Sequence, residues 1–121
     1  MSIALVVEDS PTQMEVISQC LQRGGLNVVT AISGNDAMSK IMSQKPEVII
    51  LDVVLPDKSG FELCRDLKAE VETSKIPVVI CSTKGSEMDK FWGMKQGADA
   101  YITKPIDQEQ LLRTVKQLIQ S

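Results

Sequence analysis

Five times along the chain, a short run of aliphatic and β-branched residues gives way to a stretch in which apolar residues recur every three or four positions. The runs are IALVV (3–7), NVVTAI (27–32), VIIL (48–51), VVIC (78–81) and AYIT (100–103). Apolar runs of this length suit strands buried on both faces of a parallel sheet. NVVTAI is the most mixed and is expected nearer an edge. Parallel neighbours need a crossover connection, and the intervening segments have the length and period of helices. The alternation therefore predicts an α/β fold, a doubly wound (βα)5 sandwich around a five-stranded parallel sheet.

Each helical segment carries its own boundary signals. Ser10-Pro11 supply a cap and a first-turn proline, Met14, Ile17, Cys20 and Leu21 give the inner face, and Gly24-Gly25 end it. Ser33 with Asp36 resembles a capping box, with Ala37, Met38 and Ile41 facing inward. Ser59-Gly60 open a third helix whose apolar positions are Phe61, Leu63, Cys64 and Leu67. Ser86 opens a fourth, bearing Met88, Phe91, Trp92 and Met94 and closed by Gly97. Adjacent helix positions point about 100° apart, so at most one of Phe91 and Trp92 is expected in the core, with Trp92 the more exposed. Asp107 caps the last helix, where Leu111, Leu112, Val115, Leu118 and Ile119 form the stripe.

No linker or low-complexity tract interrupts the 121 residues, so one domain over 1–121 with no output domain is expected. The net charge of −3, with signs mixed along the chain, provides no basic stripe for nucleic acid. The absence of histidine excludes His-based triads and histidine metal sites. Three cysteines without CxxC spacing, and no secretory or membrane-spanning run, point to a reducing cytoplasm.

In a sheet of this kind ligands bind at the carboxyl ends of the strands. Those ends carry Glu8-Asp9, Ser33-Gly34, Asp52, Ser82-Thr83 and Thr103-Lys104-Pro105. Taken singly, most have ordinary explanations. Glu8 and Asp9 read equally well as caps, Ser82-Thr83 as a strand end, and Lys104 as a solvated lysine. Asp52, alone between VIIL and VVL, is harder to dismiss, because a carboxylate buried among such neighbours is costly without company. Gathered on one rim, three acids would be relieved by a hard divalent cation such as Mg²⁺, Lys104 would meet an anion, and the Ser82 hydroxyl would donate to it. The set suits phosphoryl transfer to a carboxylate.

The stretches VVEDSP (6–11), ILDVVLPDKSG (50–60), PVVICST (77–83) and GADAYITKP (97–105) resemble, in order and spacing, the signatures of response-regulator receiver domains, and the likeness covers essentially the whole chain. This resemblance implies that Asp52 accepts a phosphoryl group from a histidine kinase. Glu8 and Asp9 would bind Mg²⁺ together with Asp52 and the backbone carbonyl of Val54. Ser82 would be the switch hydroxyl, Lys104 the phosphate partner, and Tyr101 an aromatic that swings inward, with a cis peptide before Pro105. Within the family the chain is similar to CheY-like single-domain regulators of the PilH type, associated with pilus-driven twitching motility or phototaxis. That narrower likeness rests on Ser82-Thr83-Lys84 and Phe91-Trp92-Gly93-Met94.

The family implies output through the surface of the fourth helix, fifth strand and fifth helix, with Phe91, Trp92 and Tyr101 as contacts for a downstream protein. A phosphate sink and a phosphorylation-independent interaction module are the alternatives. Position 83 is usually Ala or Gly in the family, so Thr83 is expected to narrow access to Asp52. Val54 and Lys84 occupy the other positions that tune the lifetime of the phosphoryl group. An aspartate-nucleophile phosphatase would need a second acid where Val54 stands. A flavodoxin-like FMN carrier would need a glycine- and hydroxyl-rich loop in place of Glu8-Asp9-Ser10-Pro11.

Overall fold

A computed structural model describes residues 2–120. Each apolar run becomes a strand: β1 (Ile3–Val7), β2 (Asn27–Ala31), β3 (Val48–Leu51), β4 (Val78–Ser82) and β5 (Ala100–Thr103). All pairings are parallel, in the order β2-β1-β3-β4-β5. β1, β3 and β4 are interior, and their residues are buried almost without exception. β2 lies on an edge and keeps its polar residues outward, as its mixed composition predicts.

The period-two geometry of the strands sends alternate residues to opposite faces. Leu5, Val7, Ile49, Leu51 and Ile80 join one cluster with Ala37, Ile41, Leu63 and Leu67. Ala4, Val6, Ile50, Val79 and Ile102 join the other with Ile17, Leu21, Leu111 and Val115. The helices that cover these faces are α1 (Pro11–Arg23), α2 (Gly34–Gln44), α3 (Gly60–Ala69), α4 (Glu87–Lys95) and α5 (Gln108–Gln120). Each fully buried Leu or Ile contributes about 1.5–3 kcal/mol relative to an exposed one, so the two faces supply most of the driving force. No helix among the described residues is long and apolar enough to cross a membrane.

The expected caps mostly form. Ser10 accepts from the Gln13 N–H at 3.4 Å with Pro11 in the first turn, and Asp107 accepts from the N–H groups of Glu109 and Gln110. Ser33 accepts from the Asp36 N–H, but the Asp36 carboxylate turns to the N–H of Ile32, so the reciprocal half of the expected box is missing. The complete capping box is on α4, between Ser86 and Asp89.

The fourth helix departs from expectation. Met88, Phe91, Trp92 and Met94 are all exposed, and only Gly93 of α4 is buried. Phe91 is 60% exposed and Trp92 48%, so Phe91 is the more exposed of the two, and neither enters the core. The sheet side of α4 is occupied by Tyr101 and Ile80, which come so close to Gly93 that a Cβ there would force them to shift. Trp92 instead leans toward α3, where with Phe61, Glu62, Arg65 and Gln96 it lines a shallow cavity of about 190 Å³.

Candidate phosphoryl-acceptor site

The order of the strands reverses between β1 and β3, and the polar rim lies at their carboxyl ends, as the topology rule requires. Asp52 follows the last residue of β3, with its backbone N–H on the Val7 carbonyl at 3.1 Å. Its carboxylate is held at both oxygens. Oδ1 accepts from the Val53 N–H at 2.7 Å, and Oδ2 lies 3.3 Å from Lys104 Nζ. Asp52 is 9% exposed: the carboxylate reaches the mouth of the sheet, and a cation accompanies it.

Glu8, directly after β1, is buried and pairs with Lys104 through Oε1, while Oε2 accepts from the Ser10 N–H at 3.1 Å. Asp9 is exposed on the open side. Carboxylate oxygens of Glu8, Asp9 and Asp52 all lie within 4.8 Å of one another. Burial pushes the Glu8 carboxyl above its ordinary value; the Lys104 hydrogen bond and the Ser10 N–H oppose the rise, and the charge of Asp52 adds to it. Burial alone would lower the Lys104 ammonium, but the bond to Glu8 and the charges of Asp52 and Glu8 outweigh it and hold the lysine cationic. Three acids against one lysine leave a net negative, oxygen-rich cluster, the donor chemistry that suits Mg²⁺.

Ser82 closes β4 and is fully buried, its hydroxyl accepting from the Lys84 N–H at 3.2 Å. Its carbonyl accepts from the Lys104 N–H at 2.9 Å, which couples the serine strand to the lysine loop. The Lys104–Pro105 peptide is cis. Thr83, Lys84 and Val54 are exposed around the mouth. Tyr101 lies inward, its ring against the core cluster and its hydroxyl donating to the Lys84 carbonyl. Burial pushes that hydroxyl up to about 12, with Asp89 and Asp52 adding to the rise and Ser82 opposing it. Glu8, Asp9, Asp52 and Lys104 are thus brought into one cluster, with Ser82 on the adjoining strand end. Phe91 and Trp92 sit apart from it on α4.

Two contributors escape a sequence reading. Asp57, which reads as part of a turn, accepts from the N–H groups of Gly34 and Asn35 at 2.8 Å each. These bonds hold its carboxyl below the usual range and tie the loop after β3 to the first turn of α2. A Val54–Ser59 bridge closes the same loop. Gly60 is the second: a Cβ there would lie 2.0 Å from the Asp52 carbonyl oxygen, so α3 starts hard against the backbone of Asp52. Pro-Asp before a Ser-Gly helix start was the available signal for the loop, but the partner helix is 22–23 positions away in sequence.

The family model for the response regulator receiver domain matches residues 4–116. Protein PilH of Pseudomonas aeruginosa is 42% identical over 119 residues, 98% of each chain. Among solved structures, a response regulator from Chloroflexus aurantiacus superposes with a TM-score of 0.95 at 29% identity, covering 99% of this chain and 98% of the other. The Vibrio cholerae chemotaxis protein CheY4 gives 0.89 at 31% identity, covering 98% of both. The chain therefore belongs to the response regulator receiver domains, the signalling modules of two-component systems.

Proposed function

We propose that the chain is a phosphoryl-accepting switch in which an Asp52 oxygen attacks the phosphorus of a histidine kinase's phosphohistidine. The new bond is O–P; the bond that breaks is P–N, whose electron pair stays on the departing imidazole. The observation that carries this reading is Asp52 itself: a buried carboxylate fixed by Val53 N–H and Lys104, at the one point of the sheet where three acids meet. Mg²⁺ held by Glu8, Asp9, Asp52 and the Val54 carbonyl would neutralise charge on the transferred group. Lys104, already against Asp52, is placed to take an oxygen of that group, and Ser82 to donate its hydroxyl once it leaves the Lys84 N–H.

The added charge of roughly −1.5 to −2 then biases a two-state surface on α4, β5 and α5. Exposed Phe91 and Trp92 supply apolar area there for a downstream protein. The likeness to PilH supports a place in pilus-driven motility. The three cysteines are free and buried, which suits a reducing cytoplasm.

The test is incubation with acetyl phosphate and Mg²⁺ followed by intact-mass measurement. Wild type should gain one phosphoryl group and Asp52→Asn none. Uptake by the Asp52→Asn variant, or no uptake by wild type, would refute the assignment.

A further inference from the structure

Glycine inside a helix is unfavourable relative to alanine, through backbone entropy and lost propensity. Gly93 nonetheless occupies the seventh of the nine residues of α4, and it is the only buried one. Space explains it. A Cβ at Gly93 would lie 2.8 Å from Cδ2 and 2.9 Å from Cε2 of the Tyr101 ring, with Ile80 Cδ1 at 3.1 Å. Real Cβ atoms do not approach an aromatic ring edge this closely. The ring therefore occupies the place a side chain would take, and its hydroxyl continues to the Lys84 carbonyl in the turn between β4 and α4.

Lys84 is the second half of the arrangement. Its N–H is held by Ser82 Oγ and its carbonyl by the Tyr101 hydroxyl, so one residue joins the strand end beside Asp52 to the aromatic ring under α4. We propose that Gly93 is a positioning residue for Tyr101: the missing side chain is a seat that lets the ring clamp the β4–α4 turn, and the coupling of Ser82 to α4 that the family implies depends on this seat. The inference rests on the phosphoryl-acceptor reading only for its final step. The seat itself is independent of that reading.

Tyr101 is the single tyrosine of the chain, so a ring-labelled sample gives one unambiguous NMR signal set. In Gly93→Ala this signal should move toward that of a solvated tyrosine and lose its cross-peaks to residue 93. Unchanged Tyr101 signals in Gly93→Ala would overturn the seat. Stability provides the second arm. Gly93→Ala should lower the melting temperature by several degrees, whereas in a Tyr101→Ala background the same change should be neutral or raise it, because the obstruction is gone and alanine favours helix. An equal loss in both backgrounds would place the obstruction at Ile80 and refute the role of the ring.

The relay is read with Mg²⁺ and beryllofluoride as the phosphoryl mimic. In wild type, amide shifts are expected at 52–54 and across 87–95; in Gly93→Ala those at 52–54 persist and those across 87–95 fall by at least half. Full α4 shifts in the variant would refute the relay. If wild type shows no shift at 52–54 either, the phosphoryl-acceptor reading fails and the seat stands on the first two measurements alone.

Discussion

Among the described residues Lys104 is the one cation inside the acidic cluster, and removing it tests the electrostatics of the whole site. Its side chain is 5% exposed, and it faces Glu8 at 2% and Asp52 at 11%. At 3.3 Å the attraction to Asp52 amounts to about 5 kcal/mol at an effective dielectric of about 20. Much of this offsets the desolvation of the charges, so the net quantity is the cost of leaving buried acids unpaired, about 3–5 kcal/mol. Lys104→Met keeps the unbranched stem and deletes the charge.

With a urea dependence of about 2 kcal/mol per molar, the loss corresponds to a midpoint lowered by about 2 M at pH 7.5. The deficit should shrink in acid. Burial already raises the Glu8 carboxyl, and loss of the lysine removes the strongest opposing influence, so its proton is held to higher pH still. Between the ordinary carboxylate value and that raised value, the folded variant binds more protons than the unfolded chain, and stability falls as pH rises through the window. Lowering the pH from 7.5 to 5 should therefore return part of the deficit, because the Glu8 carboxyl is raised further in the variant than in wild type. In wild type the Lys104 contribution is fully present below its ordinary value of 10.5 and is lost only at more alkaline pH. A variant with the wild-type midpoint at pH 7.5, or with a deficit that does not change at pH 5, would mean that the acids are adequately solvated without the lysine.

Other perturbations probe the frame around that cluster. Asp57→Ala should destabilise the chain, as the loss of a helix cap does, and should weaken Mg²⁺ binding measured by calorimetry; Ser33→Ala, which uncaps the same helix without touching the loop, should leave the Mg²⁺ affinity unchanged. Gly60→Ala drives a methyl into the Asp52 carbonyl and should cost about 3 kcal/mol or more by urea denaturation; a smaller loss would show that α3 can shift at little cost. Val54 is 54% exposed at the mouth and its side chain cannot hydrogen-bond a water, so Val54→Asn should lose its phosphoryl group faster in a time-resolved mass assay, and an equal rate would remove the residue from control of lifetime. Burial pushes the thiols of Cys64 and Cys81 up to about 11 and about 12, so both should resist a thiol reagent at pH 8 in the folded chain and react on unfolding.

The sheet was legible in the sequence because a buried parallel strand has to be apolar on both faces, and VIIL or VVIC satisfies that requirement in four residues. Edge position was legible for the same reason, from the polar residues of β2. The acidic rim followed once the topology was known, since Glu8, Asp52 and Lys104 each stand one residue past a strand end. Pairings that depend on loop paths were not legible. Nothing local tells that Asp57 reaches back to α2, or that Asp36 prefers the N–H of Ile32 to that of Ser33. The Asp57 bonds are decided by where two distant segments meet, whereas the Asp36 bond lies within four residues and turns on a choice between adjacent N–H groups.

The fourth helix shows the limit most clearly. Helical periodicity assigns apolar residues to the core on the premise that a helix buries its large side chains, and on that premise one of Phe91 and Trp92, with Phe91 the better candidate, is expected inside. Their exposure follows from the opposite allocation, in which the core side of α4 is left to Gly93 so that Tyr101, delivered by β5, can fill the gap. The residue that packs under the helix comes from another strand, and the helix contributes space. In α4 the buried glycine of the last turn marks a helix that receives a side chain rather than inserting one. For this chain that leaves a helix seated on Tyr101 and Ile80, with its large apolar groups exposed. Both properties suit the proposed role of α4 as the element that shifts when Asp52 is phosphorylated.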